Sequence, residues 1–281
     1  MNGIYLTRGC SIHIPSFTID LTTGDSSDVT LNVGFDVYPL WLRTAITQAR
    51  AAEQAAADLG QHWTGDGNER EGDLLELEMI AAMNGIVASA AAIDAFYGSV
   101  RDRCKVVAPP SSTSTKRKRG RERIITATFQ QRFALKNETV ASIRQPIKDI
   151  FRFRHTALHA HGRPEEPVLH PRLLAGMSRK HVIFRSENAT KSATFALNLI
   201  GLLATRPHPR YPGLKEHCSF AREWLQPLID DWETDHTPIN LPRPLSEQAR
   251  RSKMQDSIAL AGSPTPPSSN VRPSSGPPPA A

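Results

Sequence analysis

Cysteine is scarce. Cys10, Cys104 and Cys218 are the only three in 281 residues, odd in number and far apart. They build neither a disulfide framework nor a zinc knuckle, and such usage fits a reducing compartment, so a cytoplasmic location is expected. No apolar run of about 18 residues reads as a membrane span. The opening MNGIYLTRGCSIHIP has no apolar stretch of about 7–15 residues that would make a secretion signal, so no membrane partner is expected. Glycine-rich phosphate loops of the P-loop or dinucleotide type are missing, which argues against NTP hydrolysis and against a nicotinamide cofactor. No HExxH motif and no cysteine pair marks a metal centre. The expectation is a chain with neither cofactor nor metal.

What is present is charge, unevenly placed. The formal net charge of +6 hides an acidic first third and a basic middle. Residues 1–100 hold 4 basic and 13 acidic side chains, residues 101–163 hold 16 and 4, and residues 164–281 hold 14 and 11. Such asymmetry fits an anionic partner for the middle segment, or acidic and basic parts that face each other inside one fold.

Hydrophobic spacing divides the chain. Residues 3–37 alternate as strands around the turn cluster Thr22–Ser27, which predicts a small hairpin or meander. After Pro39 the spacing becomes helical over 39–59, then residues 60–72 read as a linker. The longest helical pattern runs over 73–103, with Asp73 as the expected N-cap and Asp94 beside the apolar stripe. Further helices are expected at 122–135, 137–160, 188–205 and 213–234, with a short element near 179–185. Between the helices, 106–123 reads as a basic flexible insertion. It holds a Pro/Ser/Thr stretch and then Lys116, Arg117, Lys118, Arg119, Arg121 and Arg123. From 238 the chain is rich in Pro and Ser and is expected to be disordered. The fold class is therefore mainly α: a helical bundle over 73–235, strands plus one helix over 1–60, and a disordered tail over 238–281.

The informative stretch is Phe151-Arg-Phe-Arg-His-Thr-Ala-Leu-His159, at the end of the 137–160 helix. Val140, Ile143, Ile147, Ile150, Phe151, Arg154 and Leu158 share one face of it, so a guanidinium interrupts an apolar stripe. A charge placed there needs an acid in the core, a subunit interface or an anionic ligand. His155 and His159 are four apart and stack. His159 lies about 140° round from Arg154 at 3.6 residues per turn, so these two converge only at a helix end or across an interface.

Arg154-His155-Thr156-Ala157-Leu158-His159 resembles the Arg-polar-x-x-x-His signature of the HEPN superfamily, a set of helical domains of which many are metal-independent ribonucleases. The segment Ala88–Tyr97 is similar to the family's long early helix, with Asp94 at its acidic position. The resemblance implies a homodimer with a composite site, an endoribonuclease activity, and a place among toxins or phage-defence effectors with an antitoxin protein as a further partner. On that reading His159 is the acid or base, Arg154 clamps phosphate, His155 orients the site and Asp94 positions Arg154 through an ion pair. RNA brings its own nucleophile, the 2′-OH. Histidine can move the protons and arginine can stabilise the phosphorane.

Two other readings stay open. Arg154 and Asp94 would pair only to hold a bundle that binds RNA, a nucleotide or a protein without catalysis. Alternatively His155 and His159, with His161 or His170, would ligate zinc. The basic residues 116–123 would grip phosphate in a salt-sensitive way, or would be a solvated charge run. Few aromatic residues lie near the motif, so readout of sequence by stacking has little support.

Overall fold

A computed structural model describes residues 10–19, 26–104, 120–159 and 165–239. Among these the chain is mainly α, with seven helices packed as a bundle and a small two-stranded hairpin. The hairpin pairs β1 (Cys10–Ile19) antiparallel with β2 (Ser26–Phe35), with Cys10 opposite Phe35 and Ile12 opposite Val33. The register shifts between His13 and Ser16, where Pro15 cannot donate to the ladder. The expected turn residues Thr22–Asp25 lie outside the described residues, as do 105–119, with Lys116–Arg119 among them, 160–164 and the tail from 240.

Helix α1 (Tyr38–His62) starts where Pro39 supplies a pre-set φ in its first turn. Helix α2 (Glu69–Arg103) begins earlier than expected. The cap is Asn68, not Asp73: its side chain accepts the Glu71 amide at 3.0 Å. The Glu71 carboxylate then folds the preceding turn around itself, accepting Thr64 N at 2.5 Å, Gly65 N at 3.2 Å and Gly67 N at 3.1 Å. Those amides, Thr64 first, hold the carboxyl below the usual carboxylate range. Gly65 and Gly67 sit at φ 83° and 69°, a conformation that favours glycine. The linker of 60–72 thus shrinks to a capped turn between two helices.

The remaining elements are α3 (Arg121–Arg132), α4 (Asn137–Leu158), β3 (Val168–Leu169), β4 (Gly176–Met177), α5 (Arg179–Ile183), α6 (Ser186–Thr205) and α7 (Pro212–Glu233). Helix α2 is the spine. It packs on α1 and α6, with α4 alongside, and the helix grouped with the strands by sequence shares this core. The three-helix crossing is close because its residues are small: a Cβ on Gly85 would stand 3.4 Å from Ala49 N and 3.5 Å from Ala189 Cβ. By length and composition α2 could cross a membrane, with an 18-residue window of mean hydropathy 1.6, yet 56% of that window is buried in the bundle. The second half of the core is aromatic. Phe96 meets Tyr38, Phe129, Phe133 and His217 with ring centroids 5.2–6.2 Å apart.

Candidate functional site

Helix α4 continues across Pro146, and Val140, Ile143, Ile147 and Ile150 bury one face of its first two-thirds. The apolar stripe then leaves the core. Phe151 and Arg154 are half-buried and Leu158 is 56% exposed, so the end of α4 lines a surface cleft. Arg154 therefore does not enter the core as a buried charge. Its guanidinium lies 6.0 Å from the Phe151 ring centroid and forms no ion pair among the described residues.

His159 is the C-cap of α4, at φ −127° and ψ 48°, with its amide still bonded to the His155 carbonyl at 3.0 Å. His159 and Arg154 line the same cleft despite their angular separation on a helix. The cleft holds about 480 Å³ and is also lined by Arg121, Lys148, Arg152 and His155. The rings of His155 and His159 lie 4.7 Å apart, tilted by 49°. Both are exposed, and neither ring makes a hydrogen bond among the described residues.

Asp94 does not pair with Arg154. It binds Arg121, at 2.7 Å and 2.8 Å, while the Arg121 guanidinium stacks 4.6 Å over Tyr97. The reason is topological: α3 returns to α2 with its first residue against Asp94, and Arg121 reaches the carboxylate before Arg154 can. Arg123 is exposed on the same helix and lines a neighbouring cleft of about 430 Å³ between α3 and α4, with Arg144, Lys148 and Gln145. Beyond the histidines a third cleft, about 330 Å³, lies between the end of α4 and α5 and is lined by Arg152, His155, His159, Arg179 and Lys180.

The sequence reading missed Arg144, Lys148, Arg152, Arg179 and Lys180. A signal existed for the first three. With His155 and His159 they follow at steps of four, four, three and four, one face of α4. Arg179 and Lys180 carried no local signal; the β3–β4 turn brings α5 back to α4.

The other histidines go elsewhere. His170 is buried and its Nδ1 accepts the Leu173 amide at 3.2 Å, and burial pushes its pKa down. His161 lies outside the described residues, and within them no group of three His, Cys, Asp or Glu is placed to hold a metal ion. His208 Nδ1 accepts from Arg210 N at 3.2 Å. His236 stacks on Trp232 at 3.7 Å and meets Glu53 at 3.1 Å, tying the end of α7 to α1.

A second polar cluster sits inside the bundle. Asp36, just before α1, accepts Arg103 at 2.7 Å and 3.3 Å, and also the Ser99 hydroxyl. His217 Nδ1 stands 3.7 Å from the same carboxylate. His217 Nε2 and the Tyr38 hydroxyl have no hydrogen-bond partner among the described residues. Burial, then the Arg103 charge, push the His217 pKa down to about 4, against Asp36, which raises it. Burial also lifts the neighbouring Cys218 thiol to about 12 and raises the Tyr38 phenol. Burial thus favours the uncharged forms of His217, Cys218 and Tyr38, and the cluster joins α1, α2 and α7.

A third group fixes the segment before α6. Glu78, buried on α2, takes Arg172 at 2.8 Å and the Ser186 amide at 2.9 Å, supplying the acceptor at the start of α6 that Arg185 does not. A comparison of the chain with family models, curated proteins and solved structures finds no match to any of them.

Proposed function

We propose that this protein is a metal-independent endoribonuclease of HEPN type, with the end of α4 as its active surface. The observation that carries the reading is the common cleft of Arg154 and His159, open to solvent and ringed by Arg121, Lys148 and Arg152. RNA is the substrate that suits it, because the 2′-OH is an internal nucleophile and phosphate is the anion that arginine clamps.

In the reaction the 2′-oxygen bonds to the adjacent phosphorus as the P–O5′ bond breaks, leaving a 2′,3′-cyclic phosphate and a 5′-hydroxyl. One imidazole takes the 2′-OH proton and an imidazolium returns one to O5′. His159 fills one of these roles, and a second copy of the chain supplies the other. His155, in ring contact with His159, orients it. Arg154 stabilises the charge on the phosphorane. Asp94 acts on this surface only through Arg121. Toxin or phage-defence roles, with an antitoxin protein as partner, follow from the resemblance in the Arg154–His159 motif.

The test is RNA cleavage in EDTA by wild type, His159→Ala and Arg154→Ala, with sizing of the native protein. Both variants should lose at least about a hundredfold in rate, the scale of a lost acid–base group or charge stabiliser. Equal cleavage by all three refutes the catalytic reading. One observation favours a second reading, a non-catalytic RNA-binding module: no described side chain hydrogen-bonds either imidazole to fix its orientation. On that reading RNA binds and is not cut.

A further inference from the structure

The cleft at the histidines is not isolated. It shares Glu122 and Lys148 with the α3–α4 cleft on one side, and Arg152, His155 and His159 with the α4–α5 cleft on the other. The three make one continuous groove. Along its floor runs the stepped face of α4 from Arg144 to His159, about 22 Å at 1.5 Å per residue.

Its charge is one-sided. Eight basic residues line the three clefts against two carboxylates, Glu122 and Glu165. Arg121 and Arg152 are engaged by Asp94 and Asp149. Arg123, Arg144, Lys148, Arg154 and Arg179 form no ion pair among the described residues. Unmatched cations on a concave surface raise the local concentration of a polyanion.

We propose that a single strand of RNA threads this groove, with phosphates held by Arg123, Arg144 and Lys148 on one side of the histidines and by Arg179 on the other. The assignment of the middle of the groove as the cutting point rests on the ribonuclease reading; the path of the strand does not. A single strand fits better than a duplex. Each cleft has the volume of a pocket for one small group, roughly 300–1,000 Å³, whereas duplex RNA is gripped across a wide, shallow minor groove. The cleft walls also offer what unpaired bases use: the amides of Gln130 and Gln145, and the partly exposed rings of Phe151 and Phe153. Cations on both sides of the histidines place the interior of a strand there, not its end.

The experiment is fluorescence anisotropy of a 5′-fluorescein-labelled oligouridylate of about twelve nucleotides, within the footprint of single-strand binders. It is titrated with the full chain over a range of salt concentrations. Wild type is compared with Arg144→Gln/Lys148→Gln, and with Lys191→Gln/Lys215→Gln, which removes the same charge from exposed positions outside the groove. Losing two phosphate contacts should reduce the slope of log K against log salt by about 1.4. With convergence near ~1 M salt, that is about 25-fold weaker binding near ~0.1 M. The control pair should bind as wild type, and a duplex of equal length should bind more weakly than the single strand. Wild-type affinity and slope in the groove variant overturn this path while leaving the ribonuclease reading intact. An equal loss in the control pair, or tighter binding of the duplex, overturns it as well. If wild type binds no RNA, the path and the ribonuclease reading fall together.

Discussion

Replacing His217 with leucine should flatten the dependence of folding stability on acid. His217 is 2% exposed, between Tyr38 and Phe96, and its pKa of about 4 is set by burial and then by Arg103. In the unfolded chain the same imidazole titrates near 6.5. The folded value is the lower one, so between these two pH values the unfolded state binds more protons. Stability is therefore lost as pH falls from about 6.5 toward 4, and the loss stops below the folded pKa. At 1.36 kcal/mol per unit the full effect is about 3 kcal/mol, of which about 2 kcal/mol is gone near pH ~5. Leucine cannot titrate, and Asp36 keeps Arg103 and Ser99, so the substitution does not strand the carboxylate. Glu71, whose pKa is also lowered, loses stability in acid too, but it does so equally in both proteins and cancels. Urea unfolding of both proteins, followed by far-UV circular dichroism from about pH 7 to about pH 5, measures the difference. The gap between them should change by about 2 kcal/mol in the direction of the variant. A gap constant to about 0.5 kcal/mol, well under half of one unit's worth, would show that His217 is not held neutral by its burial.

Three other substitutions probe the frame. Asn68→Ala removes the α2 cap and should cost about 1 kcal/mol, seen as a melting temperature lower by about 2–4 °C; an unchanged value would mean that Asp73 or another group caps the helix. Glu78→Leu strands Arg172 and the Ser186 amide, and should cost about 3 kcal/mol in urea unfolding, at the low end for a broken buried pair because Arg172 is 30% exposed. Asp94→Asn should change stability by less than about 1 kcal/mol, as its partner Arg121 is 44% exposed, and should tighten RNA binding by releasing a cation into the groove. Loss of cleavage with unchanged binding would instead restore a direct role for Asp94 at Arg154.

How much was legible depended on what each inference needed. Helix positions rest on local spacing, so α1, α4 and α7 stand within a few residues of the sequence reading. The start of α2 escapes the spacing that points to Asp73, because the cap at Asn68 comes with a turn that Glu71 closes over Gly65 and Gly67. The site motif was legible as a pattern, since Arg154, His155 and His159 are neighbours in sequence. Their surroundings were not. Whether Asp94 meets Arg154 or Arg121 depends on where α3 lands on α2, and spacing within either helix is silent on that. The pairing of Asp36 with Arg103 and His217 joins three distant segments and leaves no periodic trace. Arg144, Lys148 and Arg152 were visible only as net charge, although their shared face was open to counting.

The two arginines that bracket residues 105–119 carry a consequence for how this protein can vary. Arg103 is locked to Asp36, and Arg121 is locked between Asp94 and Tyr97. Both ends of the intervening stretch are thus moored to the bundle by their own side chains. Neither position takes lysine as an equivalent: an ammonium would keep the charge but lose the two-point grip on Asp36 and the stacking on Tyr97.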